Sequence, residues 1–242
     1  MAPRKQPPRQ PPPVQRLRIK YAKRGAARFS SHRDFSRAFE RALRRANVPM
    51  AYSSGFNPHP RISFANAAPT SASSEAEYVE IALAQVCDPN EIREFLAAVM
   101  PPGLPILQVY EAQPGTSLGD ELTAARWSIQ FPGVHPVELE QSVQSLLAAD
   151  AVEIERETKS GTRITDIRPA IVSATVDGDS MIVVTRQDDI PLRPSDVAVA
   201  VRKFGDLPSN PLYTRLAQGR WSNGELLEPL IAQNEDSSLP VS

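Results

Sequence analysis

The sequence predicts an α+β fold made of two consecutive units, each with the element order β-α-β-β-α-β and the second with one extra strand. Segments in which apolar and polar residues alternate, as in strands, are interspersed with segments whose apolar residues recur every three or four positions, as in helices. The order of these segments is similar in the two halves, although the residues themselves are not repeated. Proline, glycine and asparagine separate the segments.

The first unit begins with a strand at residues 17–21 and continues with a helix. Ser31 can cap the exposed amides at the helix start, and Asp34 completes a capping box. Asn47 and Pro49 end the helix. The remaining elements are predicted as strands at 61–65 and 77–83, a helix from Asp88 to 101–103, and a strand at 106–110.

The second unit has the same order of elements with one addition. Strands are predicted at 126–131, 171–176, 181–185 and 212–216, and helices at 136–149 and 194–204. Asp177 and Gly178 form the turn between the two middle strands. A further strand is predicted at 152–157, which gives this unit one strand more than the first.

The predicted organisation is therefore two tandem ferredoxin-like units between two tails. Too few apolar residues accompany the prolines and arginines of residues 1–15, which predicts a disordered basic arm. The units span 16–113, which carries the basic surface, and 125–223. A linker at 114–124 joins them, and residues 224–242 form a C-terminal tail.

Charge is divided unevenly along the chain. The net charge is only −1, but residues 1–65 hold 15 Lys and Arg against Asp34 and Glu40, which leaves +13. Residues 66–242 hold 12 Lys and Arg against 26 Asp and Glu, which leaves −14. This difference indicates that the basic end meets a polyanion. Attraction between the two parts of the same chain is the alternative explanation.

The helix that follows Ser31 has an apolar side and a cationic side. Its apolar residues form a stripe suited to packing on a sheet. At about 100° per residue, its arginines gather on the opposite side, with only Glu40 to offset them. Like charges four positions apart oppose helix formation, so the arrangement favours binding of nucleic acid. These arginines are Arg33, Arg37, Arg41, Arg44 and Arg45.

Further candidate binding residues flank this helix. Arg28 and Ser31 precede it, and guanidinium groups and helix-start amides bind phosphate oxygens well. The loop after the helix offers the Tyr52 ring for stacking on an unpaired base, with Asn57 and Arg61 beside it. Packing of Tyr52 in the core is the alternative. Helix and loop together predict an RNA-binding surface.

Two of the three histidines, His32 and His59, lie in the same basic segment. As a pair they could act as the general base and general acid of a metal-free ribonuclease that uses the 2′-hydroxyl of RNA. The structural alternative is that His32 packs or caps the helix start and His59 braces a proline-rich turn. We favour a structural or phosphate-binding role.

Several classes of protein are disfavoured by the composition. No segment approaches the roughly 20 apolar residues of a membrane span, and the N-terminus lacks an apolar targeting core, so we expect a cytoplasmic protein that does not contact the membrane. Structural zinc and iron–sulfur clusters need several thiolates or imidazoles, and Cys87 is the single cysteine. We therefore expect no metal and no cofactor.

Four segments of the first half resemble an uncharacterised radical-SAM-associated protein family, whose members are encoded beside, or fused to, a cobalamin-binding radical SAM enzyme. They are residues 30–34 (SSHRD), 40–45 (ERALRR), 52–60 (YSSGFNPHP) and 77–81 (EYVEI). A weaker resemblance extends to residues 165–169 (TDIRP). The resemblance implies a radical SAM partner. One cysteine cannot form the triad that such an enzyme needs, which implies an accessory role.

The combined expectation is an RNA-binding accessory protein that presents a tRNA or ribosomal RNA to the partner enzyme. Two alternatives remain open. One is a metal-free endoribonuclease or RNA-modifying enzyme that uses His32 and His59. The other is a protein–protein adaptor whose arginine helix docks on the radical SAM partner without RNA.

Overall fold

A computed structural model describes residues 9–158, 161–187 and 192–229. These residues form a mixed α+β fold with one large, mostly antiparallel sheet and a separate two-stranded sheet. The helices are α1 (His32–Arg45), α2 (Pro89–Val99), α3 (Leu118–Glu121), α4 (Pro136–Ala148) and α5 (Pro194–Val201). The strands are β1 (Gln15–Lys23), β2 (Ile62–Ala65), β3 (Ser73–Leu83), β4 (Ile106–Glu111), β5 (Ala124–Gln130), β6 (Glu153–Thr158), β7 (Gly161–Asp166), β8 (Ile171–Asp177), β9 (Ser180–Arg186), β10 (Leu212–Ser222) and β11 (Glu225–Leu227).

The large sheet joins the two halves of the chain edge to edge. Its main path runs β4-β1-β3-β10-β5-β9-β8, and β2 pairs with β3. Strand β3 meets β10 through a short parallel pairing, in which Ser73 and Ser74 lie opposite Thr214 and Arg215. In each half, the fourth, first, third and second strands of the large sheet lie side by side in that order.

Each half has its own hydrophobic core between helices and sheet. In the first half, Leu17 and Ile19 on β1 pack with Phe39 of α1 and Leu96 of α2. In the second half, Trp127 and Ile129 on β5 pack with Leu139 of α4 and Val197 of α5. The alternation of apolar residues along β1 and β5 directs them to these cores.

The segment predicted as a linker, residues 114–124, packs on the first half. It contains the short helix α3, and Leu118 and Leu122 are buried against Ala76 and Tyr78 of β3. Tyr78 alternates with Val79, which lies in the core beneath α1 and α2. The segment therefore covers the sheet face opposite α1.

Other predicted elements differ in extent or pairing. The strand predicted at 152–157 corresponds to β6, but β6 pairs with β7 in a sheet of its own, and no strand was expected at β7. Strand β10 continues to Ser222, and β11 pairs with it within the predicted tail. Residues 1–8 of the predicted arm and 230–242 of the tail lie outside the described residues.

Within the described ranges, none of the helices is both long enough and apolar enough to span a bilayer.

Candidate nucleic-acid interface

An aromatic cluster fixes the orientation of α1 on the sheet. The Phe35 ring stacks on Tyr21 of β1 with centroids 4.3 Å apart, and Phe39 stacks on Phe35 at 5.6 Å. Phe64 of β2 meets Phe35 edge-on at 5.9 Å. Since these rings occupy the apolar side of α1, the opposite side of the helix faces solvent.

The start of α1 is fixed by the predicted capping box. The Asp34 amide donates to the Ser31 hydroxyl oxygen at 3.2 Å, and the Ser31 amide donates to the Asp34 carboxylate at 3.2 Å. The Ser31 hydroxyl also donates to that carboxylate at 2.6 Å. These hydrogen bonds lower the pKa of the Asp34 carboxyl below its ordinary value, and the charges of Arg37 and Arg33 lower it further.

The five arginines of α1 are all exposed. They occupy an arc of roughly 120° along about 18 Å of helix. Arg44 approaches the Glu40 carboxylate at 3.9 Å, but within the described part of the chain the other four guanidinium groups form no ion pair or hydrogen bond. We call Arg33, Arg37, Arg41, Arg44 and Arg45 the arginine face.

The basic residues of β1 have a different environment. Arg18 is buried between the carboxylates of Glu80, at 3.1 Å, and Glu121, at 2.7 Å. Arg16 pairs with Glu80 at 3.1 Å, and Lys20 pairs with Glu228. These β1 cations are neutralised by the chain's own carboxylates, whereas most of the arginine face is not.

Two predicted binding residues lie at the N-terminal end of α1. Ser31 is half-buried and is engaged in the capping box. Arg28, in the turn of 3-10 helix that precedes α1, holds its guanidinium 4.7 Å from the ring of the exposed Phe29. Phe29 was not a predicted site residue. Its position next to Arg28 in a basic segment was the available signal.

The loop after α1 is a closed turn with an exposed tip. Tyr52 forms a β-bridge with Pro60, and the Ser53 amide donates to the His59 carbonyl at 2.8 Å. Tyr52 is 41% exposed and therefore lies outside the core. Asn57 at the tip is also exposed. The loop thus presents a ring and an amide to solvent.

Arg61 lies apart from the arginine face. Its Nε donates to the Tyr52 carbonyl at 3.1 Å. With Arg16, Ser63 and Glu80 it lines a small cavity of about 260 Å³. These residues alternate along β1, β2 and β3 with those that pack beneath α1. The structure therefore places Arg61 toward the sheet face opposite α1.

The two candidate catalytic histidines have separate surroundings. The His32 ring packs edge-on against Phe64, with centroids 4.8 Å apart. The His59 amide donates to the Ser53 hydroxyl at 3.0 Å, and the His59 side chain is exposed. Among the described residues, no hydrogen bond or ring contact joins His32 to His59.

In the described part of the chain, no three His, Cys, Asp or Glu side chains form a group suited to a metal ion. A family model described as an uncharacterized protein conserved in bacteria (DUF2344) matches residues 16–194, well over half of the chain. The chain belongs to this family. No curated protein matches this DUF2344 chain.

Proposed function

We propose that this DUF2344 chain is an RNA-binding accessory protein whose arginine face contacts the phosphates of an RNA. The observation that carries the proposal is the exposure of five arginines on one side of α1, four of them without an ion pair among the described residues. A row of like charges opposes helix formation by a few tenths of a kcal/mol per pair. A bound polyanion offsets this repulsion.

The neighbouring groups suit a single-stranded or looped RNA. Tyr52 is exposed in the loop that follows α1, and an exposed ring in a basic segment can stack on an unpaired base. Arg28 adds a cation at the other end. In this proposal the arginine face holds the backbone, and the loop contacts bases.

We also propose that each half of the chain is a ferredoxin-like unit. The repeated strand order of the two halves supports two tandem ferredoxin-like units. The β6–β7 hairpin is then an insertion in the second unit. Fold order alone does not fix a function, so the proposal rests on α1.

The partner proposed for this protein is a cytoplasmic radical SAM enzyme, to which it would present a tRNA or ribosomal RNA. This part rests on the resemblance of four segments in the first half. Two of them, at residues 30–34 and 40–45, lie at the start of α1 and within it. The segment at 52–60 is the loop with Tyr52 and His59.

Fluorescence anisotropy with a labelled single-stranded RNA tests the proposal. Replacement of Arg37 and Arg41 by glutamine should weaken binding at least tenfold, because each lost charged contact contributes more than about 1 kcal/mol. The matched control replaces Arg93 and Arg126 by glutamine. These are exposed arginines on α2 and β5, and this variant should bind like the wild type. Equal affinity of all three proteins would refute a role for the arginine face.

The same variants separate RNA binding from protein docking. If the arginine face contacts an acidic partner surface directly, co-purification with the radical SAM enzyme should survive nuclease digestion and be lost in the Arg37→Glu/Arg41→Glu variant. If RNA bridges the two proteins, nuclease should release the partner from the wild type. Only the second result agrees with the proposal.

A further inference from the structure

The described part of the N-terminal arm, residues 9–14, is attached to the loop at residues 52–60. The Gln10 amide donates to the Ser54 hydroxyl at 2.9 Å, between positions 44 apart in the sequence. At the other end of this stretch, the Val14 amide donates to the Leu83 carbonyl at 2.9 Å. The arm therefore runs from the end of β3 to the loop.

Three consecutive prolines, at residues 11–13, make this part of the arm stiff. Each proline ring fixes φ and removes a backbone N–H, so a run of prolines favours an extended chain that acts as a spacer. Gln10 has the first backbone N–H on the N-terminal side of the run, and this N–H is bonded to Ser54. Arg9 is thereby held beside the loop, because its Cα lies about 3.8 Å from that of Gln10.

The loop presents a second exposed ring in addition to Tyr52. Phe56 is 75% exposed. The preceding Gly55 has a φ of 144°, which residues with side chains rarely adopt. The backbone hydrogen bond from Ser53 to His59 closes the loop. Both rings are therefore exposed on a loop with a defined backbone.

Arm and loop belong to segments that contain no carboxylates. Residues 9–33 and 41–74 hold no Asp or Glu. Arg9 is exposed, and among the described residues its side chain forms no ion pair or hydrogen bond. A cation beside exposed rings suits a nucleotide, which carries a phosphate and a base. The other exposed side chains of the loop are polar, which disfavours an apolar protein surface as the partner; they include Ser54, Asn57 and His59.

We infer that the arm and the loop together bind an unpaired segment of RNA, whose bases stack on Phe56 and Tyr52 and whose phosphate contacts Arg9. This inference rests on the proposed function and extends its site to the arm. A base must leave a duplex to lie on an exposed ring, so this part of the surface selects an unpaired strand. The arginine face contacts phosphates, which paired and unpaired RNA both carry.

Fluorescence anisotropy with a labelled single strand, and with the same strand annealed to its complement, tests the stacking. Phe56→Ala should bind the single strand at least about fivefold more weakly, because a stacked base is lost, and should bind the duplex like the wild type. Phe95→Ala, at a 51% exposed phenylalanine on α2, is the matched control and should bind both RNAs normally. An equal loss for both RNAs, or no loss for the single strand, would overturn the inference.

The salt dependence of single-strand affinity tests the contact of Arg9. Arg9→Gln should make the slope of log affinity against log salt concentration shallower by about 0.7, because one phosphate contact is lost. Arg93→Gln, at an exposed arginine on α2, should leave the slope unchanged. An unchanged slope for Arg9→Gln would overturn the inference.

Ser54→Ala tests whether the bond to Gln10 positions Arg9. Without this hydroxyl the arm is not held on the loop, so Arg9→Gln should weaken binding less in the Ser54→Ala protein than in the wild type. Equal effects of Arg9→Gln in the two proteins would overturn the role of the arm.

The Arg37→Gln/Arg41→Gln variant separates failure of this inference from failure of the proposed function. If that variant loses RNA affinity while Phe56→Ala and Arg9→Gln bind like the wild type, the inference alone is overturned. If the wild type binds no RNA, the proposed function fails and the inference fails with it. If Phe56→Ala keeps its RNA affinity but no longer co-purifies with the partner enzyme, the loop docks a protein and the inference is overturned.

Discussion

At the scale of single residues, Asp34 links the helix cap to the charge of the arginine face. Its pKa is lowered in the folded chain by the Ser31 hydrogen bonds and then by Arg37 and Arg33. A carboxyl with a lowered folded-state pKa stabilises the fold above its unfolded-state pKa. That contribution is lost as the pH falls through the folded-state value.

We therefore predict that Asp34→Asn lowers the free energy of unfolding at neutral pH, and that the difference from the wild type disappears in strong acid. Urea unfolding at a series of pH values measures this difference in the free energy of unfolding. Asp206→Asn, at an exposed loop residue, is the control. A difference that stayed constant between neutral and strongly acidic pH would show that the Asp34 charge is not responsible.

The residue types of His32 and His59 alone do not decide whether these side chains are catalytic or structural. Both stand in a basic segment with hydroxyl neighbours, which is compatible with nuclease chemistry, but the neighbours of each ring depend on the fold. The contact between His32 and Phe64 joins positions 32 residues apart in sequence. The residues near His32 in the sequence therefore do not predict this contact.

We predict that His59→Ala does not change the products that are formed from RNA. Radiolabelled total RNA incubated with the wild type or the variant should give the same products, because the His32 ring packs against Phe64 and the His59 amide is held in the turn by the Ser53 hydroxyl, as in the structural alternative. Products formed by the wild type and lost in the variant would instead support a ribonuclease.

At the scale of elements, α1 is the best-predicted part of the chain because its signals are local. The capping box lies within four residues, and the apolar stripe repeats within the helix. Strand β3 was predicted four residues too short, since its start, Ser73–Ala76, is polar or small and is ordered by pairing. The short α3 was missed because Leu118 and Leu122 gain their burial from β3.

The repulsion along α1 yields a prediction about stability. The Arg37→Gln/Arg41→Gln variant should be as stable as the wild type or more stable by a few tenths of a kcal/mol, because like charges at a spacing of four residues are removed. Urea unfolding monitored by circular dichroism measures this. A loss above about 1 kcal/mol would mean that these arginines support the fold, and reduced RNA affinity could then not be assigned to lost contacts.

At the scale of the whole molecule, the two halves are held together by a buried ion pair as well as by the short β3–β10 pairing. Glu77 on β3 and Arg215 on β10 are both 3% exposed at the side chain, and their nearest atoms are 2.9 Å apart. Charges in such a setting are costly to separate. The pair therefore links β3 of the first half to β10 of the second.

We predict that Glu77→Gln destabilises the protein by about 3–5 kcal/mol, because it leaves the buried Arg215 charge without its carboxylate. Glu75→Gln is the control: Glu75 pairs with Arg24 near the surface, and its loss should cost at most about 1 kcal/mol. Chemical denaturation compares the two variants. A similar, small effect of both would contradict a structural role for the buried pair.

The α+β class and most of the helices and strands could be predicted from the sequence because their signals are local. The junction could not. Alternation along β3 places Glu77 on the same face as Val79 and Ile81. Nothing near Glu77 in the sequence identifies its partner, because Arg215 lies 138 residues away.

The salt dependence of RNA affinity tests the central claim most directly. If all five arginines of α1 contact phosphates of a single strand, a plot of log affinity against log salt concentration should have a slope of about −3.5, since each contact contributes about −0.7. The Arg37→Gln/Arg41→Gln variant should reduce the slope to about −2. A slope near zero for the wild type, or identical slopes for both proteins, would contradict the account.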